Sequence, residues 1–89
     1  MHFTYNDQIN FAKLALALYD IEKDDIKQLE NLLAVGEMIQ KHTDKDNWII
    51  FDTTEYIYER IRLLQGDERA FEDTEQRKLL EDTIRHHTS

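Results

Sequence analysis

The sequence predicts an all-α domain, a small bundle of about four helices, and three observations carry that expectation. The chain has no proline and only two glycines, Gly36 and Gly66, so it lacks the residues that tight hairpin turns usually require. Its apolar residues recur at three- and four-residue spacing in most segments, the period of a helix with one buried face. Where leucines alternate instead, in FAKLALALYD, no β-branched residue occurs from Asn10 to Asp20, and Ala and Leu favour helix. One stretch leaves an α+β alternative open: Trp48 to Phe51 is a short apolar run that also reads as a strand, with HFTY near the N-terminus as its partner.

The first helix is expected from Asn6 or Asp7, either of which can accept from the orphan N–H groups of a first turn, to about Asp20. Phe11, Leu14, Ala15 and Leu18 follow i, i+3, i+4, i+7 and form its expected buried stripe. Leu16 lies off that stripe, and Tyr19 extends the apolar surface. The short IEKD link then leads into a second helix, capped by Asp24 and facing inward with Ile26, Leu29, Leu32, Leu33, Gly36 and Ile39. Gly36 permits close approach to the first helix, at a cost of about 1 kcal/mol relative to Ala. HTDKDN, residues 42–47, reads as a loop.

In the third helix Asp52 and Glu55 have capping-box spacing, Ile57, Ile61 and Leu64 face inward, and Gly66 fits the position just beyond the last turn. The last helix begins at Asp67, or at Asp73 with Gln76 as its partner. Its apolar residues are sparse: Ala70, Phe71, Leu79, Leu80 and Ile84. Its end is expected to fray toward Thr88 and Ser89.

Composition narrows the function. A single domain of 89 residues buries only about 60–65% of the surface its unfolded chain exposes, so the core is thin. The absence of cysteine removes disulfides, thiolate nucleophiles and every Cys-based metal site. With 11 basic and 19 acidic residues the net charge is -8, which repels nucleic-acid phosphates and anionic membranes, so broad nucleic-acid binding and membrane association are not expected. The N-terminal stretch has no basic run before a long apolar segment, so a cytoplasmic location is expected.

Four histidines invite a metal hypothesis, but His86 and His87 are adjacent and point about 100° apart on a helix, neither has a His or carboxylate four residues after it as helical zinc sites do, and Asp82 four residues before His86 leaves only a weak pair. No metal and no cofactor are expected. The only serine is Ser89, no glycine-rich phosphate loop occurs, and no complete set of catalytic roles can be assembled, so an enzyme is not expected.

The most distinctive polar stretch is EYIYERIR, residues 55–62. With Ile57 and Ile61 inward, Tyr56 with Arg60 and Tyr58 with Arg62 form two i, i+4 aromatic–guanidinium pairs, and Tyr and Arg are residue types in which interface binding energy concentrates. Such pairs also stabilise an exposed helix, by about 0.2–0.5 kcal/mol each. An alternative use of the same residues is a nucleotide pocket, one Tyr stacking a base and one Arg holding a phosphate. The acidic block that follows, with Asp67, Glu68, Phe71, Glu72 and Asp73, places an aromatic residue among carboxylates, as an anchor for a basic partner would be. A nucleic-acid mimic is a further alternative, although Lys23, Lys27, Arg60, Arg62, Arg69, Arg77 and Lys78 interrupt the negative surface.

The expected function is therefore a non-enzymatic, acidic protein–protein interaction module, of the type of a small inhibitor, immunity or phage-type antagonist protein, binding a basic surface of a larger partner. Three short helices are too few to cover both sides of FAKLALALYD, so a homo-oligomer is expected, with Leu16 and Tyr19 at the contact between copies.

Overall fold

The computed structural model describes residues 3–43 and 47–88; residues 44–46 of the expected 42–47 loop, and Ser89 at the expected frayed end, lie outside the described residues. Four helices follow one another: α1 (Tyr5–Glu22), α2 (Ile26–Lys41), α3 (Trp48–Leu64) and α4 (Thr74–Thr88). Trp48 to Phe51 is the first turn of α3, which sets the α+β alternative aside. Among the described residues no helix is long and apolar enough to cross a membrane.

Local chemistry sets the helix ends. Thr4, two or three residues earlier than expected, caps α1: its Oγ1 accepts from the Asp7 N–H at 3.2 Å, while Asp7 Oδ2 accepts from the Thr4 N–H at 2.9 Å. Asp7 thus serves as the third-residue half of a capping box. Asp25, the second of the two adjacent aspartates, caps α2 through the Gln28 N–H. Asp52 and Glu55 form no cap, because α3 already begins at Trp48 and both residues lie within it. At the other end of α3, Gly66 adopts φ +85°, and the N–H groups of Gly66 and Asp67 donate to the carbonyls of Leu63 and Arg62 at 3.0 Å. That pairing is a Schellman motif, which needs a left-handed residue at this point and favours glycine there. Asp73 caps α4, accepting from the Gln76 N–H at 2.9 Å, as one of the two alternatives for that helix required.

Packing places α1 and α3 in the middle. Both touch α2 and α4, the α2–α3 contact is the most extensive, and α2 and α4 do not meet among the described residues. The core joins Ile9, Phe11, Ala12, Ala15, Leu16 and Tyr19 of α1 to Leu29 and Ile39 of α2, to Ile49, Ile50, Tyr56, Ile57 and Ile61 of α3, and to Leu80 of α4. Gly36 lies where α2 comes close to both neighbours. A methyl group added there would collide with the Thr54 side chain and come within 3.1 Å of Phe11 Cζ.

The buried face of α1 differs from the expected one. Leu16 and Tyr19 are 3% and 1% exposed, whereas Leu14 is 65% and Leu18 45% exposed. The stripe that wins is Gln8, Ala12, Ala15 and Tyr19 with Ile9, Phe11 and Leu16 beside it. Because α1 touches three helices, its buried arc is wide and is centred on the small residues Ala12 and Ala15, which admit close neighbours. Leu16 and Tyr19 are therefore interior residues of a single chain, and their assignment to a contact between copies is corrected.

A polar clasp holds this core at its edge. The Tyr19 and Tyr56 rings lie 4.9 Å apart, and the Arg77 guanidinium sits over both, 5.9 and 5.6 Å from their centroids. Arg77 also donates two bonds to Asp20, at 3.0 and 2.7 Å, and one to Glu81 at 2.7 Å. Burial raises the Tyr19 and Tyr56 hydroxyl pKa values above the ordinary phenol range, so both remain protonated donors at neutral pH.

Candidate protein-interaction surface

Helix α3 turns Ile50, Thr53, Ile57 and Ile61 inward at intervals of three and four residues. One step around the helix, Phe51, Glu55 and Tyr58 follow i, i+4, i+7 and stay at the surface, with Thr54 between them and the core. Leu33, Glu37 and Gln40 repeat that spacing on α2. The two rows face each other across a groove of about 330 Å³. Thr54 forms its floor and also abuts Gly36, so the glycine that lets the helices approach sets the groove's width.

The lining divides by chemistry. Phe51 and Tyr58 are 50% and 49% exposed and present aromatic surface toward solvent. Glu37 and Glu55 stand exposed on opposite walls, and no ion pair among the described residues engages either one. An apolar floor between two uncompensated carboxylates suits a ligand with an apolar body and a cationic head.

The basic side chain beside Tyr58 is already occupied. The Arg62 guanidinium lies 5.9 Å from the Tyr58 centroid, the pairing expected from the sequence, and it donates to Glu59 at 2.8 Å and to Asp67 at 2.9 and 2.7 Å. Asp67 responds: the Arg69 backbone N–H, and then Arg62, hold its carboxyl below the usual aspartate range. Arg62 therefore stiffens the exit of α3 and leaves no spare positive charge for a phosphate.

The companion pair is not formed. Tyr56 is buried, its ring tilted against that of Tyr19, and its hydroxyl donates to Glu72 Oε1 at 3.0 Å. Arg60 turns away, its Nε donating to the Lys23 carbonyl at 2.8 Å and its guanidinium pairing with Asp24. The cause is again the central position of α3, whose buried arc takes in Tyr56 as well as Ile57. Tyr56, Tyr58, Arg60 and Arg62 thus point in different directions and do not line one cavity.

The acidic block is likewise divided. Asp67 is paired with Arg62, Glu72 accepts from Tyr56, and Asp73 caps α4. Glu68 and Phe71 remain exposed. Of the sequence candidates, Tyr58, Glu68 and Phe71 keep an available surface. The residues that sequence reasoning missed are Leu33, Glu37, Gln40, Phe51 and Glu55. Their i, i+4, i+7 rows are visible in the sequence, but which two rows face each other is a property of helix packing alone.

Among the described residues no group of three His, Cys, Asp or Glu side chains is placed to hold a metal ion. His87 instead shares a 2.9 Å hydrogen bond with Asn6 Oδ1 and meets the Tyr5 ring edge-on, 5.4 Å between centroids, which joins the end of α4 to the start of α1. Compared with protein families, with curated proteins and with solved structures, the chain shows no significant match.

Proposed function

We propose that this chain is a non-enzymatic, acidic interaction module of a cytoplasmic setting that takes a basic amphipathic segment of a larger protein partner into the α2–α3 groove. The observation that carries the reading is the juxtaposition of exposed Phe51 and Tyr58 with Glu37 and Glu55, both of which lack an intramolecular cation among the described residues. A helix with apolar residues at i, i+4, i+7 would lay that stripe along Leu33, Thr54 and the two rings, and its flanking Lys or Arg side chains would reach the glutamates. The -8 net charge would steer such a partner toward the surface before contact. A small inhibitor, immunity or antagonist protein would work in this way, by covering the basic surface its target uses.

The test is selection of a random displayed peptide library against the folded protein, followed by titration of an enriched peptide with Trp48 fluorescence as reporter. Trp48 is the chain's single tryptophan and lies one turn before Phe51. Enriched peptides should combine Lys or Arg with apolar residues at helical spacing, and Glu37→Lys with Glu55→Lys should weaken binding by about 10-fold or more, roughly 1.4 kcal/mol. Enrichment of acidic peptides, or full binding by the charge-reversed protein, would overturn the reading.

A further inference from the structure

The second exposed face of α1 has no explanation within one chain. Its solvent-facing positions recur at i, i+3, i+4, i+7, i+8 and i+11, and are occupied by Asn10, Lys13, Leu14, Ala17, Leu18 and Ile21. On an ordinary surface helix these positions would carry charge. Here they include one lysine and no acid, in a chain with 19 acidic residues; the exposed Asp20, at the edge of this face beside Lys13, is paired with Arg77. Leu14 and Ile21 protrude, 65% and 74% exposed.

The neighbouring helix continues the pattern. Between α1 and α2 runs a groove of about 220 Å³ formed by Leu18, Leu32 and Val35 with the uncharged Gln28 and Asn31, and Glu22 closes one end. One face therefore offers both protruding aliphatic side chains and an aliphatic groove of the size to receive them. A two-fold interface has this requirement, because each copy must supply the projection and the recess together.

We infer that the α1–α2 face binds a second copy of this chain. Charge favours that occupant over a basic protein: the face has almost no carboxylate for a cation to meet. Two copies of a -8 chain also repel each other least where neither presents acid. The area sets the strength. An 18-residue helix beside a 16-residue helix covers a footprint about 25 Å long and about 20 Å wide. That is roughly 500 Å² per partner, well under the roughly 800 Å² of a standard stable interface, so the dimer is weak and reversible on dilution. The face shares no lining residue with the α2–α3 groove, so this inference stands apart from the proposed partner binding.

Light scattering across a dilution series tests it, with circular dichroism to verify folding. The wild type should pass from monomer to twice the monomer mass, Leu18→Glu should raise the dissociation constant at least 10-fold while keeping its helix content, and Tyr58→Glu on the other groove should leave the dimer unchanged. Leu18 is half-exposed, so the substitution does not place a charge in the core. Should Leu18→Glu lose its fold, Ile21→Glu, at the most exposed aliphatic position, provides the same reading. A wild type that stays monomeric up to roughly 1 mM overturns the inference and leaves the face to a different protein. Dissociation by Tyr58→Glu with Leu18→Glu still dimeric overturns it as well.

Discussion

The two sides of α2 present opposite surfaces. Toward α3 the groove is aromatic and walled by glutamates; toward α1 it is aliphatic and nearly uncharged. Similar amounts of apolar surface are exposed on each, so hydrophobicity alone does not distinguish their partners. The charge beside the apolar residues does. Carboxylates around an apolar floor reward a cationic ligand and penalise another copy of the same acidic chain, whereas an uncharged aliphatic face imposes no such penalty.

Both faces depend on how α2 seats, so the largest effect comes from moving it. Gly36→Ala adds a methyl where the Thr54 side chain already stands, and the Thr54 hydroxyl, bonded to the Phe51 carbonyl at 2.9 Å, resists rotation. Ala is the better helix former by about 1 kcal/mol, but overpacking in a filled site costs about 1–3 kcal/mol, and here the clash involves Phe11 as well. Thermal unfolding should show Tm lower by about 5–10 °C. Thr54→Ser removes the offending methyl and keeps the hydroxyl bond, so the double variant should recover most of the loss. A Gly36→Ala protein as stable as the wild type would mean that α2 sits farther from α3, and the groove geometry would lose its basis.

How much of this the sequence disclosed follows from what periodicity measures. The helical class, the inward face of α2, the Schellman turn at Gly66 and the Asp73 cap were legible because each is local: a spacing, a φ requirement or a side chain reaching its own backbone. The orientation of α1 was not. FAKLALALYD is apolar on both sides, so Phe11–Leu14–Leu18 and Ala12–Leu16–Tyr19 are both acceptable stripes, and only the close approach of three neighbouring helices favours the one centred on Ala12 and Ala15. That stripe turns Leu16 and Tyr19 into the core and leaves Leu14 and Leu18 at the surface, the reverse of the periodic expectation. Tyr58 with Arg62 was legible as an i, i+4 pair, while Tyr56 was lost to Glu72 and Arg77, which lie 16 and 21 positions away in sequence.

Salt should separate the two faces further, with a smaller effect. Raising ionic strength from about 0.05 M to about 0.5 M shortens the Debye length from roughly 14 Å to roughly 4 Å. A basic peptide in the α2–α3 groove should then bind several-fold more weakly. Association through Leu14, Leu18 and Ile21 should hold or strengthen, since screening reduces repulsion between the -8 chains while aliphatic contact is insensitive to it. Sedimentation for the dimer and fluorescence titration for the peptide measure the two trends on one sample. A dimer that dissociates as salt rises would place ion pairs, not aliphatic side chains, at its centre.

The smallest effect concerns which carboxylates belong to the acidic groove. Asp52 follows Phe51 in sequence, yet it is half-buried and lines no part of the groove, and burial raises its pKa above the ordinary aspartate value of 3.8. The sign follows directly. Between that value and the raised folded-state value the native chain holds more protons than the unfolded one, so stability falls as pH rises through the window and the full penalty is present above it. Asp52→Asn removes the ionisation. At pH 7 it should stabilise the fold by well under about 1 kcal/mol, because a partly exposed carboxylate is still solvated, and the gain should vanish below the unfolded-state pKa. Urea titrations at several pH values measure this difference. Peptide affinity should be unchanged in the same variant while Glu55→Gln lowers it, and loss of affinity in Asp52→Asn would move the cationic subsite from the α2–α3 groove to the buried side of Phe51.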